Sequence, residues 1–299
     1  GMIQGSGRIG KTDCRVIRKV SDDMISRSMF CFSSRARHTD AVRKGKDLGK
    51  LLAKKLKVRD EQREWKSTRK KRGRLSGALL AEVGFNENLF EQKFTEEYED
   101  AFIHMSLDAS GSMGGNKWRE AMICAMAIAT ACDIIGSVQC QISARFTMGS
   151  SGILNSASAK PAIAIMYDSR RESYRQAKDK LPHATTGGST PEGLCYEAIM
   201  DQILESSRNK DAYFVNFSDG MPNFSNRDVS YGSSNAFPHT ARQIDKMKRH
   251  GDIEVLSYYI GGGRSNDGFR EMYGNDAEFI DVTEIGPVAR TLNDMLLDK

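Results

Sequence analysis

From residue 101 onward, short apolar runs alternate with longer stretches of helical periodicity. Residues 101–107 (Ala-Phe-Ile-His-Met-Ser-Leu) predict a strand that ends in a polar loop. Residues 117–135 predict a largely buried helix, 138–147 a second strand and 163–167 a short edge strand. A polar helix is expected over 171–181. Thr190-Pro191-Glu192 then opens a helix to about residue 207, with Thr190 as cap and Pro191 at the first helical position. Strands over 211–218, 253–260 and 277–282 alternate with helices over 238–250 and 285–297. Strands apolar on both faces, separated by helices, predict an α/β protein with a mostly parallel sheet covered on both sides, a three-layer Rossmann-like arrangement. In such sheets ligands bind beyond the carboxyl ends of the strands.

The front of the chain has another pattern. Residues 40–58 carry Leu48, Leu51, Leu52 and Leu56 at helical spacing, interleaved with Lys44, Lys50, Lys54, Lys55 and Lys57. That predicts a basic amphipathic helix. A charge-dense connector over 59–74 follows, ending in Arg69-Lys-Lys-Arg-Gly-Arg74. The expected division is an ill-defined extension over 1–39, the basic helix and connector over 40–100, and the main domain over 101–299.

Composition narrows the class. The 299 residues are 39% hydrophobic and 28% charged, as expected of a globular chain. The longest nearly apolar stretch, 121–135, is shorter than the roughly 20 residues of a bilayer span. No apolar signal core follows Gly1, and Met2 reads as the native start. Six scattered cysteines form no C-x-x-C pair, which suits buried thiols in a reducing cytoplasm. The net charge of +5 is unevenly spread: residues 1–100 hold 24 Lys/Arg against 15 Asp/Glu, and 35–74 hold 17 against 5. That basic segment can meet an acidic protein surface or nucleic acid, with Trp65 available to stack on a base.

Three loops at strand ends hold the candidate chemistry. Asp108-x-Ser110-x-Ser112 follows the first strand, Gly187-Gly188-Ser189-Thr190 precedes the central helix, and Ser218-Asp219-Gly220 follows the middle strand. If those strands are adjacent and parallel, two carboxylates and three hydroxyls converge. Two carboxylates about 4 Å apart repel by roughly 4 kcal/mol at an effective dielectric near 20. A divalent cation removes that repulsion, and all-oxygen donors suit Mg2+, Mn2+ or Ca2+.

These residues resemble the metal-ion-dependent adhesion site (MIDAS) of von Willebrand factor A (VWA) domains. The resemblance covers about 100–299 and implies Asp108, Ser110, Ser112, Thr190 and Asp219 as metal ligands. It also implies one coordination position left for an acidic residue of a partner. A narrower similarity, through Arg72-Gly-Arg-Leu75, Asn88-Leu-Phe90 and the run 101–113, is to the C-terminal domain of the cobaltochelatase subunit CobT and its relatives. Those proteins work beside an AAA+ ATPase of the MoxR or CobS type, so the resemblance implies such a partner. The alternative is a non-catalytic subunit of a metal chelatase in tetrapyrrole synthesis.

Catalytic motifs are weaker. Gly5-Ser-Gly-Arg-Ile-Gly-Lys11-Thr12 fits a P-loop, but in this sequence only four residues precede it and the motif needs a strand there. No ATP hydrolysis is expected. The five histidines show no metalloprotease spacing, His104 reads as a core residue, and Gly261-Gly-Gly-Arg264 reads as a turn. The reading is an interaction module rather than a catalyst.

Overall fold

The computed structural model describes residues 13–63, 65–70, 74–75, 90–94, 101–149, 158–260 and 267–279. The P-loop-like segment 5–12, the Gly-rich turn 261–264, the connector residues 71–73 and the expected closing helix 285–297 lie outside them.

Seven strands form the main sheet: β1 (Arg15–Ile17), β5 (Ala101–Asp108), β6 (Val138–Met148), β7 (Lys160–Asp168), β8 (Asp211–Ser218), β11 (Ile253–Tyr259) and β12 (Ala277–Phe279). Their order is β1-β7-β6-β5-β8-β11-β12. Every neighbouring pair is parallel except β6 with β7. The run expected as an edge strand, 163–167, is therefore an inner strand. Its edge is covered by β1, whose Val16 pairs with Ile163. Away from this sheet, β2 (Trp65–Lys70), β3 (Arg74–Leu75) and β4 (Phe90–Phe94) form an antiparallel sheet, and β9 (Phe224–Ser225) pairs with β10 (Ser230–Tyr231).

Side-chain alternation along the strands divides the core in two. Ile103, Met105 and Leu107 of β5 and Tyr213, Val215 and Phe217 of β8 face one layer, which contains α3 (Asn116–Ile135). Ala212, Phe214, Ile253 and Val255 face the other, where α5 (Glu192–Ser207), α6 (Ser233–Gly251) and α7 (Asp267–Tyr273) contribute Tyr196, Ile199, Met247, Phe269 and Met272. The result is the three-layer α/β architecture expected from the sequence. Among the described residues no helix is long and apolar enough to cross a membrane.

The first layer has a second tier. Between α1 (Asp22–Ser26) and β2 runs α2 (Thr39–Arg63), longer than the predicted 40–58, which packs along α3. Its buried face takes in only part of the leucine stripe, Leu52 and half-buried Leu48. Leu51 is 62% exposed, whereas Ala41, Gly45, Gly49 and Ala53, each four residues apart, are buried with Val42 and Leu52. A row of small residues at that spacing lets two helix backbones approach closely. A β-carbon at Gly45 would lie 2.6 Å from the Ile123 carbonyl oxygen, and one at Gly49 would lie 2.4 Å from that of Ala127. The α3 helix is thus buried on both sides, which is why Met122, Cys124, Met126 and Cys132 interrupt no polar face. A final short helix, α4 (Tyr174–Lys180), closes this layer with Ala177 and the following Leu181 in the core.

Candidate metal centre

The carboxyl ends of β5 and β8 are adjacent because the two strands pair in parallel from Ala101↔Asp211 to Leu107↔Phe217. Asp108 ends β5 and is wholly buried. Its Oδ1 accepts from the Ser110 backbone N–H at 2.9 Å and its Oδ2 from the Ser218 hydroxyl at 3.0 Å. Beyond it, a single 3-10 turn over Gly111–Met113 reverses the chain. That turn brings the hydroxyls of Ser110 and Ser112 within 3.1 Å of each other. The Ser112 hydroxyl donates to Asp219 Oδ1 at 2.8 Å, joining the loop after β5 to the loop after β8.

The third loop is tied in through the backbone. Gly111 N–H donates to the Gly188 carbonyl at 3.0 Å, and Gly187 N–H to that of Ala109 at 2.8 Å. Thr190 is not the helix cap expected of it. Pro191 holds that position with no side-chain cap, and Thr190 instead exchanges both backbone hydrogen bonds with Asn223 at 3.0 Å. A β-carbon at Gly220 would stand 3.8 Å from both the Ser112 and the Thr190 hydroxyl oxygens, so both flank one small space. All five sequence-derived residues therefore lie around the same strand ends. Ser110, Thr190 and Asp219 are nearly buried, and Ser112 is open to solvent.

The donors are oxygen throughout, which fits a hard divalent cation. Among the described residues there is no cluster of three or more His, Cys, Asp or Glu, so hydroxyls must carry part of any ligation. Burial raises the Asp108 carboxyl to about 6, opposed by the charge of Arg145 and aided by that of Glu192. A buried carboxylate held this far above its ordinary range is a group that a cation would relieve.

Sequence reasoning missed several neighbours. Lys117, in the first turn of α3, forms an ion pair with Asp219 Oδ2, the oxygen turned away from Ser112. Ser218, the last residue of β8, holds Asp108 Oδ2 through its hydroxyl. Arg145 and Glu192, both wholly buried, lie beneath the site. The alternation Gln139, Gln141, Ser143, Arg145 along β6 was the available signal, since it marks one face of an inner strand as polar. His104 belongs to that face: it bonds to Gln141 and Ser143 at 2.8 Å, and burial lowers it to about 4. It is a neutral core residue, as expected.

Lys117 leads to a measurable expectation. Its ammonium stands beside a site that would hold a cation, and the side chain is 31% exposed, so the repulsion is only partly screened. Lys117→Gln is expected to tighten Mg2+ binding roughly fivefold at low salt, less as salt rises. Calorimetric titration checks this. Weaker binding would mean that the lysine's hold on Asp219 outweighs its repulsion.

A mostly parallel sheet layered by helices, with Asp-x-Ser-x-Ser at the end of a central strand, defines a VWA-type domain. The family model described as the cobalamin biosynthesis protein CobT VWA domain matches residues 89–298, and the chain belongs to that family. Similar solved structures include the pilus adhesin SpaC from Lactobacillus rhamnosus GG, 11% identical with a TM-score of 0.48, covering 68% of this chain and 31% of that one. Another is the vWF domain of the type V pili tip protein Mfa5 from Porphyromonas gingivalis, 8% identical, TM-score 0.49, covering 67% and 96%. Proximal thread matrix protein 1 from the mussel byssus is 12% identical, TM-score 0.44, covering 67% and 47%. The chain thus spans less than a third of the SpaC adhesin. No curated protein matches it.

Proposed function

We propose that this chain is a metal-dependent interaction module in which Asp108, Ser110, Ser112, Thr190 and Asp219 hold one Mg2+, with Mn2+ or Ca2+ as substitutes. The observation that carries the reading is the meeting of three loops: Ser112 bridges Ser110 and Asp219 by hydrogen bonds of 3.1 and 2.8 Å, beside the Thr190 hydroxyl. Two carboxylates and three neutral hydroxyls leave such an ion near neutrality but short of six ligands. Water fills the remaining positions, because Mg2+ gives up its hydration reluctantly. A carboxylate from a partner can replace one water, and the exposure of Ser112 leaves that side accessible.

The partner we infer is an AAA+ ATPase of the MoxR or CobS type that offers an Asp or Glu to the ion. Membership of the CobT VWA family supports this choice, and also a role as a non-catalytic chelatase subunit. A metal-bridged contact is directional and reversible, which suits an adaptor that engages and releases a cycling ATPase. The basic face of α2, where Arg43, Lys44, Lys50 and Lys54 are exposed, supplies a weaker attraction to an acidic surface or to nucleic acid.

The test is a binding titration with such an ATPase from the same source. Binding is expected to vanish with EDTA and in Asp108→Ala or Thr190→Ala. Neutralising Lys44, Lys50 and Lys54 is expected to weaken it no more than about tenfold, in a salt-dependent manner. Full binding in EDTA, lost on neutralising the lysines, would make α2 the interface and end the metal-bridge reading.

A further inference from the structure

The loop that carries Thr190 enters α5 without a side-chain cap, yet it is not free to move. Glu192, the first residue of α5, is wholly buried two residues beyond Thr190. One of its oxygens, Oε1, gathers donors from four elements. Asn216 Nδ2 of β8 donates at 3.0 Å, the Tyr196 hydroxyl of α5 at 3.1 Å, the Tyr273 hydroxyl of α7 at 2.5 Å, and Arg145 Nη2 of β6 lies at 3.4 Å. These partners are themselves held. Arg145 Nη1 donates to Ser106 of β5 at 2.6 Å, and its guanidinium lies 5.1 Å from the centre of the Tyr196 ring. Asn216 also donates to Ser257 of β11 at 2.7 Å, and the Tyr196 and Tyr273 hydroxyls are 2.9 Å apart.

So many donors on one buried oxygen are more than helix packing requires. An apolar residue would fill the same place without the cost of burying a charge. What the carboxylate adds is a fixed point. It ties the start of α5 directly to β6, β8 and α7, and through Arg145 and Asn216 to β5 and β11, two residues from the Thr190 hydroxyl. Its charge also balances Arg145, which is wholly buried and close enough to influence Asp108 electrostatically. Left unbalanced, that guanidinium would oppose any cation held by Asp108.

We propose that Glu192 is a positioning residue for the Thr190 loop. It sets the Thr190 hydroxyl against the Asp108-x-Ser110-x-Ser112 turn and keeps the ground beneath the site free of net positive charge. The first half stands on the hydrogen bonds alone. The second rests on the metal reading proposed above.

The experiment uses the metal-free protein and two variants, Glu192→Gln and Arg145→Gln/Glu192→Gln. The double variant removes the buried Arg145–Glu192 pair together and serves if the single one fails to fold. Hydrogen exchange at the Thr190 and Asn223 amides, which bond to each other's carbonyls, reports the loop without metal. Both amides are expected to exchange at least tenfold faster in Glu192→Gln and at least threefold faster in the double variant, with the central amides of α3 unchanged. A Mn2+ titration is expected to give at least tenfold weaker binding in Glu192→Gln. Wild-type exchange at both amides in a folded variant overturns the proposal, as does a loosened loop with unaltered Mn2+ affinity. Loosened amides in a protein whose wild type binds no Mn2+ would uphold the positioning role and defeat the metal reading instead.

Discussion

Adding Mg2+ or Mn2+ at a hundredfold excess over Kd is expected to raise the melting temperature by about 5–10 °C, and Asp108→Ala to abolish that rise. A ligand that binds only the folded state stabilises it by about 2.7 kcal/mol at that excess. For a domain of about 200 residues, each kcal/mol moves the midpoint by roughly 2–4 °C. Asp108 is the residue to remove because it is wholly buried and its carboxyl is raised to about 6 by that burial. The same shift fixes the pH dependence. A carboxyl whose folded pKa lies above its unfolded value of 3.8 binds more protons in the folded state. Asp108 therefore contributes stability that grows as pH falls from about 6 towards 4, while buried His104, lowered from 6.5 to about 4, takes stability away over the same range. Metal binding needs the ionised form, so apparent affinity is expected to fall about tenfold per pH unit below about 6. Asp108→Ala should remove the metal dependence and the Asp108 contribution, leaving the opposing slope of His104. Without metal near pH 7 it should melt close to the wild type, since it deletes a carboxylate that resists burial. Scanning fluorimetry from pH 5 to 8, with and without metal, checks all of this. Equal metal-induced shifts in wild type and variant would count against the site.

The parts legible in the sequence were those governed by local pattern. β5 and β8 could be read because each is a continuous apolar run ending in a polar loop, and parallel pairing then forces Asp108 and Asp219 together. Thr190 was identified as a site residue, but its local role was misread. Thr-Pro-Glu resembles a capped helix start, whereas a long-range pairing with Asn223 claims the threonine backbone. Glu192 reads in sequence as an ordinary first-turn acid, favourable at any helix N-terminus. Its burial depends on Asn216 and Tyr273, far away in the chain, and no local pattern predicts that. The position of 163–167 escaped for a similar reason. Whether a strand is an edge depends on what else reaches it, and here the covering strand comes from Arg15–Ile17.

The same distinction between local and long-range signals gives the largest expected effect on stability. Gly45→Ala/Gly49→Ala is expected to destabilise the protein by about 3 kcal/mol or more, although Ala is the better helix former by roughly 1 kcal/mol per site. On a solvated helix the pair would stabilise. Here the added β-carbons would lie 2.7 Å from the Met126 β-carbon and 2.5 Å from that of Thr130, as well as against the carbonyl oxygens of Ile123 and Ala127. Backbone cannot give way as a flexible side-chain end can, so α2 must move off α3 and lose the contacts of Ala41, Val42, Leu52 and Ala53. Leu51→Lys is the contrasting variant. The leucine stripe read from the sequence makes it a core residue, but at 62% exposure its replacement should cost less than about 0.5 kcal/mol. Urea unfolding of both variants decides between the two faces. If the double alanine variant is unaffected and Leu51→Lys is crippled, the side carrying Leu51 is the packed face. If the order is as expected, the four-residue spacing of small side chains is what fixes α2 to the helix that begins beside Ser112. The lysines of α2 then form a fixed surface at a set distance from the candidate metal centre.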